Sequence, residues 1–198
     1  ISGPGLWGAN AVYLDDAASG TRIDGNLFYR AGKAAFIGGG RDNVVENNVF
    51  IECEASIHVD ARGLGWMAYH VEEGGIMRER LDAVPYRNDL WKERYPRLAR
   101  LLEEEPAAPR GNVIAGNVSR GGTWLDVEEI AMSHLEFEGN IVDREAGFVD
   151  AENLDFRFAA GAAALREGFE PIPFEKIGIR RDPRRASWPL LSPARRNN

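Results

Sequence analysis

The sequence predicts an all-β solenoid, a parallel β-helix of 22 to 23 residues per rung with a helical insertion and a C-terminal cap. Three observations lead there. Asn26, Asn48, Asn117 and Asn140 each follow Gly or Asn inside a recurring phrase: IDGNLFY, VENNVFI, IAGNVSR and FEGNIVD. The first two lie 22 residues apart and the last two 23, while the middle pair is 69 apart, one period of 23 plus 46 further residues. A fixed period of about 20–25 residues built from short β-type runs and turn residues marks a stacked repeat. Each period also alternates apolar and polar residues over short runs, the pattern of half-buried strands. Gly is abundant, 22 of 198 residues, as a fold with a turn at every corner requires.

The elements follow in order. The periodic pattern is running by Ala11 and the chain opens Ile-Ser-Gly-Pro without Met, so further rungs and any signal peptide are expected upstream. A first kind of strand is varied: NAVYLDD (10–16), KAAFIGGG (33–40), ASIHVDARG (55–63), TWLDVEE (123–129) and AGFVDAE (146–152). A second kind spans each repeated Asn. Asn suits a tight turn because it tolerates the left-handed conformation, and its amide can bond the rung above. Rungs are therefore expected over 1–63 and 111–156, stacked ~4.8 Å apart. The insertion, 64–110, contains NDLWKERYPRLARLLEEE with apolar residues at helical spacing. Asn88 or Asp89 is placed to cap it, and Pro96 to kink or restart it. After Asp155 the repeat stops. FAAGAAALREGF reads as a short Ala-rich helix and PIPFEKIGI as an extended segment, so 157–198 is expected to cap the C-terminal end and trail off.

The net charge of −7 is uneven: from Arg180 onward six Arg and one Asp give +5, leaving −12 on the rest. An acidic body argues against nucleic-acid binding, which needs a basic face; the Arg-rich tail reads as a solvated end. Cys53, the one cysteine, falls in a period-2 apolar run and reads as a buried thiol without a disulfide partner in the chain. No stretch approaches the ~20 apolar residues of a membrane span.

Aligning the varied strands on Leu14, Ile37, Val59, Leu125 and Val149 places Asp15, Gly38, Asp60, Asp126 and Asp150 one residue later. Tyr13, Phe36, His58, Trp124 and Phe148 come one residue earlier. Neighbours of an inward residue point outward, so a column of acids is expected beside a column of aromatics. Stacked carboxylates repel and Asp is a poor strand former, which points to a site holding a ligand, metal or proton. Gly38 and Gly39 would open a notch between Asp15 and Asp60 where a ligand reaches backbone. Asp15, Asp16 and Asp60 are the expected catalytic carboxylates. Tyr13, Phe36, Gly38, Gly39, Arg41, His58, Arg62, Trp124 and Asp126 are the expected substrate-binding residues. Calcium at Asp15, Asp16 and Asp60 is the one metal the pattern allows. A single His without a second in register does not make a zinc site, and GGGRDN lacks the ending of a phosphate-binding loop.

VYLDDAASG, FIGGGRDNVVENNVF, IHVDARGLGW and the late GFEPIPFEKIGI resemble the right-handed parallel β-helix proteins of the pectate-lyase-like superfamily. They are most similar to bacterial members near glycoside hydrolase family 141. The resemblance covers nearly the whole chain and matches the C-terminal half of such proteins. It implies a right-handed coil, secretion to the periplasm or outside the cell, and polysaccharide or oligosaccharide substrates. It also implies a catalytic acid pair on the outer face of a parallel sheet, carried here onto Asp15 or Asp16 and Asp60. A glycoside hydrolase is the leading expectation. A calcium-dependent polysaccharide lyase or epimerase, or a non-catalytic carbohydrate-binding or structural β-helix, are the alternatives.

Overall fold

The computed structural model describes residues 9–178 and Arg184. The Arg-rich tail from Arg180 lies outside the described residues apart from Arg184. Four successive rungs follow one another. The first runs through β1 (Val12–Leu14), β2 (Arg22–Asp24) and β3 (Leu27–Tyr29), the second through β4 (Lys33–Gly38), β5 (Val44–Glu46) and β6 (Val49–Cys53). The third comprises β7 (Ala55–Asp60), β8 (Asn112–Ala115) and β9 (Val118–Gly122), the fourth β10 (Leu125–Val127), β11 (Leu135–Glu138) and β12 (Ile141–Val142). Corresponding strands pair in parallel, giving sheet 1 (β1-β4-β7-β10), sheet 2 (β2-β5-β8-β11) and sheet 3 (β3-β6-β9-β12). The architecture is all-β and solenoid-like. Among the described residues no helix is long and apolar enough to cross a membrane.

Alternation along each strand decides what faces inward. Sheet 1 contributes two files, Val12-Ala35-Ile57-Leu125 and Leu14-Ile37-Val59-Val127. Ile23, Val45 and Ile114 meet them from sheet 2, and Phe28 stacks on Phe50 from sheet 3 at 5.0 Å between centroids. Ile37, Ile57 and Val59 are wholly buried, each contributing about 1.5–3 kcal/mol. Cys53 is buried in this core, and burial pushes its thiol pKa up.

The repeated asparagines form a ladder. Asn48 Oδ1 accepts from the backbone N–H and Nδ2 of Asn26, and Asn117 Oδ1 does the same for Asn48. Asn140 Oδ1 receives Asn117 in turn. The amides of Asn48, Asn117 and Asn140 also donate to the carbonyls of Ile23, Val45 and Ile114 on the rung before. A second ladder turns the preceding corner: Thr21 N–H donates to Asn43 Oδ1, and Asn43 N–H to Asn112 Oδ1.

Between β7 and β8 the chain leaves the coil through α1 (Ala68–Val71), α2 (Ile76–Asp82), α3 (Asp89–Arg94) and α4 (Pro96–Ala99). The Asn88 side chain accepts from Trp91 N–H and caps α3, and Pro96 opens α4. A further short helix, α5 (Glu129–Met132), links β10 to β11.

Three expectations are corrected. AGFVDAE does not join sheet 1. Its β13 (Phe148–Asp150) forms an antiparallel hairpin with β14 (Asp155–Phe158), so Val149 and Asp150 leave the file. The segment that follows, with α6 (Ala163–Arg166), does more than close an end. Phe156, Ala164, Phe169 and Ile172 cover Val49, Ile51, Val118 and Ile141, the outward apolar residues of sheet 3. Asn47 fastens it, donating to Glu170 O and accepting from Glu170 N–H. PIPFEKIGI, expected to be extended, contains one 3-10 turn at Phe174–Lys176.

Replacing Asn117 by Ala leaves the Asn48 N–H and the Val45 carbonyl unpaired in the interior. We expect a loss of about 3 kcal/mol, read as a fall in Tm of about 6–12 °C. Asn26→Ala, at the half-buried end of the ladder, should cost under about 1 kcal/mol. Equal losses would show that the ladder does not hold the rungs.

Candidate functional site

The outer face of sheet 1 is buried along β4 and β7 and opens to solvent at Tyr13 and Asp126, and the helical insertion leaves the coil just after β7. Tyr13, Phe36, His58 and Asp126 form one outward file across the four rungs. Phe36 is only 3 % exposed. Tyr13 stacks on one of its faces at 4.1 Å, the His58 ring meets it edge-on at 4.2 Å, and Lys33 Nζ lies 4.7 Å from its centroid. Phe36 is therefore the floor of the face and offers no ring surface to a sugar. His58 is held at both nitrogens, Nδ1 to Asp126 Oδ2 at 2.7 Å and Nε2 to Lys33 Nζ at 3.1 Å. With Asp126 accepting from Nδ1–H, Nε2 is left to accept from the lysine ammonium.

Two residues further along the strands, Asp15, Gly38 and Asp60 line up as the spacing predicts, and Arg62 occupies the space between them. Its guanidinium uses all five N–H groups. Nε lies 3.0 and 3.1 Å from the two Asp60 oxygens, and Nη2 reaches Asp60 Oδ2 at 2.7 Å and the Tyr13 hydroxyl at 3.0 Å. Nη1 bonds Asp15 Oδ1 and Asp16 Oδ1, both at 2.8 Å. Arg62 is 6 % exposed, and its pKa is pushed still higher, chiefly by the hydrogen bonds to Asp60. Asp15 is held below the ordinary carboxylate value of 3.8, first by the Tyr13 hydroxyl and then by Arg62. Burial, followed by the bond to Asp15, raises Tyr13 in return.

The glycines have a different reason from the one expected. A Cβ on Gly38 would stand 2.7 Å from Arg62 Cζ, and one on Gly39 2.6 Å from Arg62 Cγ. The notch admits the protein's own arginine, and a ligand does not enter it. The same guanidinium stands among the three carboxylates considered for calcium. Among the described residues no three His, Cys, Asp or Glu side chains are grouped to hold a metal.

Asp15 and Asp16 face one guanidinium because the strand ends between them. In an extended strand, consecutive side chains point to opposite faces. Here Asp16 adopts φ 40° and Ala17 φ 62°, a left-handed turn that swings the Asp16 carboxylate back to the side of Asp15. Both side chains remain open to solvent, 57 % and 61 % exposed.

No protein-family model, curated protein or solved structure matches the chain.

Three expected site residues lie elsewhere. Asp126 stands one rung from His58 rather than from Asp60, because β10 is shifted by two residues, and Glu128 follows Val127 at the place beside Asp60. Glu128 Oε2 there accepts from Ala61 N–H at 2.9 Å. Trp124 turns inward against the core, 6.0 Å from Phe50, and is no sugar platform. Arg41 is buried at the foot of the insertion, donating to Glu104 O and to Asp42. Two further residues belong to the face. Lys33 completes the His58 chain, and Trp66, 66 % exposed, stands with its ring 5.6 Å from the Arg62 guanidinium.

The lowered Asp15 gives a pH dependence with a definite sign. A depressed folded value stabilises the fold above 3.8, and this contribution is lost as pH falls through the lower folded value. Thermal melts from about pH 5 to about pH 2 should therefore show wild type above Asp15→Asn at the upper end and the two converging at the lower. A constant gap would remove the assigned ion pair.

Proposed function

We propose that the chain is a right-handed parallel β-helix protein of the pectate-lyase-like superfamily, near glycoside hydrolase family 141. We further propose that it hydrolyses a neutral polysaccharide or oligosaccharide at the outer face of sheet 1. The short connections between parallel strands favour the right-handed coil, as parallel crossovers do in general. The observation that carries the chemistry is the pair of exposed carboxylates, Asp15 and Asp16, turned onto one buried guanidinium. Their Oδ1 atoms both lie 2.8 Å from Nη1, so they are no more than 5.6 Å apart, twice that distance. Retaining glycosidases hold their two carboxyls about 5–5.5 Å apart and inverting ones about 6.5–9.5 Å.

In this reading Asp15, held ionised by Tyr13 and Arg62, attacks the anomeric carbon as the glycosidic C–O bond breaks. Asp16 gives a proton to the departing oxygen, then takes one from the water that releases the sugar from Asp15. Asp60 accepts three side-chain N–H bonds from Arg62, leaving it poorly placed to carry a proton to a substrate. Its role is to fix Arg62, which orients the other two carboxylates. Tyr13 and the exposed Trp66 supply ring faces for sugar. With Asp16 carrying its proton, Asp15 and Asp60 still outnumber the one arginine, and Arg62 has no N–H spare for a uronate, which favours a neutral sugar.

A second reading, proton abstraction by a polysaccharide lyase or epimerase, is favoured by the Lys33–His58–Asp126 chain. Incubation with neutral and uronate polysaccharides separates the two. We expect reducing ends from a neutral polymer, without unsaturated product, and a loss of at least about 100-fold in Asp15→Asn with the fold retained. Unsaturated product would select the lyase. Glycan binding without turnover would select a binding module, and unchanged turnover in Asp15→Asn would remove the carboxylate assignment.

A further inference from the structure

Arg62 also borders a second space. A cleft of about 360 Å³ opens between the turn after β1 and the insertion. Asp16, Ala17 and Arg62 form one side of it. Met67, Val71, Ile76 and Met77 form the other, with His70 and Arg80 alongside. Its size lies within the usual range of small-ligand pockets, about 300–1,000 Å³. It differs in kind from the larger cavity of about 550 Å³ beside Arg41. There Arg97 pairs with Asp42 at 3.0 Å, Arg100 with Glu104 at 3.3 Å and Arg110 with Glu105 at 3.0 Å, so these arginines are already answered from within the chain.

Methionine and branched aliphatic walls gain nothing from sugar hydroxyls. They gain from an apolar group, and the unbranched thioethers adapt to its shape. The cleft begins at Asp16, the residue proposed to protonate the departing oxygen, so a group bonded to that oxygen is carried toward these walls. Beside Asp16 the Arg62 guanidinium is fully committed, so the group that meets Asp16 is neutral, while the exposed Arg80 stands alongside the apolar wall. We propose that this cleft is the leaving-group subsite, and that it takes an aryl or short alkyl group of a neutral glycoside. The assignment rests on the glycosidase reading of Asp15 and Asp16 and names the substrate class of that site.

The test is calorimetric titration of the full chain with paired 4-nitrophenyl and methyl glycosides of glucose, galactose, xylose and arabinose. For at least one sugar the aryl form should bind about tenfold or more tightly than the methyl form. Ile76 is 47 % exposed, so Ile76→Asp can charge the wall without disturbing a buried position. It should remove the aryl preference while leaving the methyl glycoside unchanged; the milder Ile76→Ser should reduce the preference in the same direction. Equal binding of aryl and methyl forms, an aryl preference indifferent to both variants, or no glycoside binding at all would each overturn the subsite. Turnover of a neutral polymer without aryl preference would overturn the subsite alone. Aryl preference abolished by Ile76→Asp, with no turnover of any polymer, would uphold the subsite and overturn the hydrolase.

Discussion

The amide ladder of Asn26, Asn48, Asn117 and Asn140 is the interaction on which the other features depend. Asn48, Asn117 and Asn140 each accept from the main chain of the rung before and donate to a carbonyl of that same rung. The hydrophobic interior alone would tolerate sliding, since files of Val, Ile and Leu are nearly interchangeable. Directional amide bonds at a buried corner do not tolerate it, because a displaced rung would leave polar groups unpaired away from water. With the corners pinned, residues on sheet 1 meet at predictable heights. Tyr13, Phe36 and His58 stack in one file, and Asp15, Gly38 and Asp60 in the next.

Within that frame, Arg62 organises the polar face. It follows β7 by two residues and folds back over Gly38 and Gly39, whose missing side chains make its path possible. A buried cation is tolerable only when its hydrogen bonds are answered, and Asp60 answers Nε–H and one Nη2–H while Tyr13 takes the other. The remaining Nη1 donors reach outward to Asp15 and Asp16. A group buried for its own electrostatic reasons therefore sets the orientation of two exposed carboxylates.

The repeated phrase made the period, the corner and the register of the first three rungs legible, because Asn at a tight turn has a specific chemical reason. The register of the fourth rung was not. A slip of two residues keeps every side chain on its own face, so alternation cannot detect it. The distance to the next ladder Asn could: it is 12 residues from Leu14 to Asn26 and 11 from Ile37 to Asn48, against 13 from Val127 and 15 from Leu125 to Asn140. The second ladder was also written in the chain, since Asn43 and Asn112 each precede a ladder Asn by five residues. The place of Trp66 and the cleft behind Arg62 had no such signal. They depend on how the insertion returns to the coil, which local spacing does not encode. The glycines of GGG marked a close approach correctly but could not say which group approaches.

The C-terminal segment has a consequence for how the molecule holds together. A stacked repeat in which each rung touches only its neighbours loses structure from its ends, one unit at a time. Here Phe156, Phe169 and Ile172 lie along strands from the second, third and fourth rungs, and Glu170 is tied to Asn47, 123 positions earlier in the chain. Fraying of the last rung would have to strip that strap from the earlier ones. The three rungs are thereby coupled into one cooperative unit, completed only when the segment around Glu170 returns to the second rung. Such long-range closure slows folding, and once formed it resists unravelling from that end.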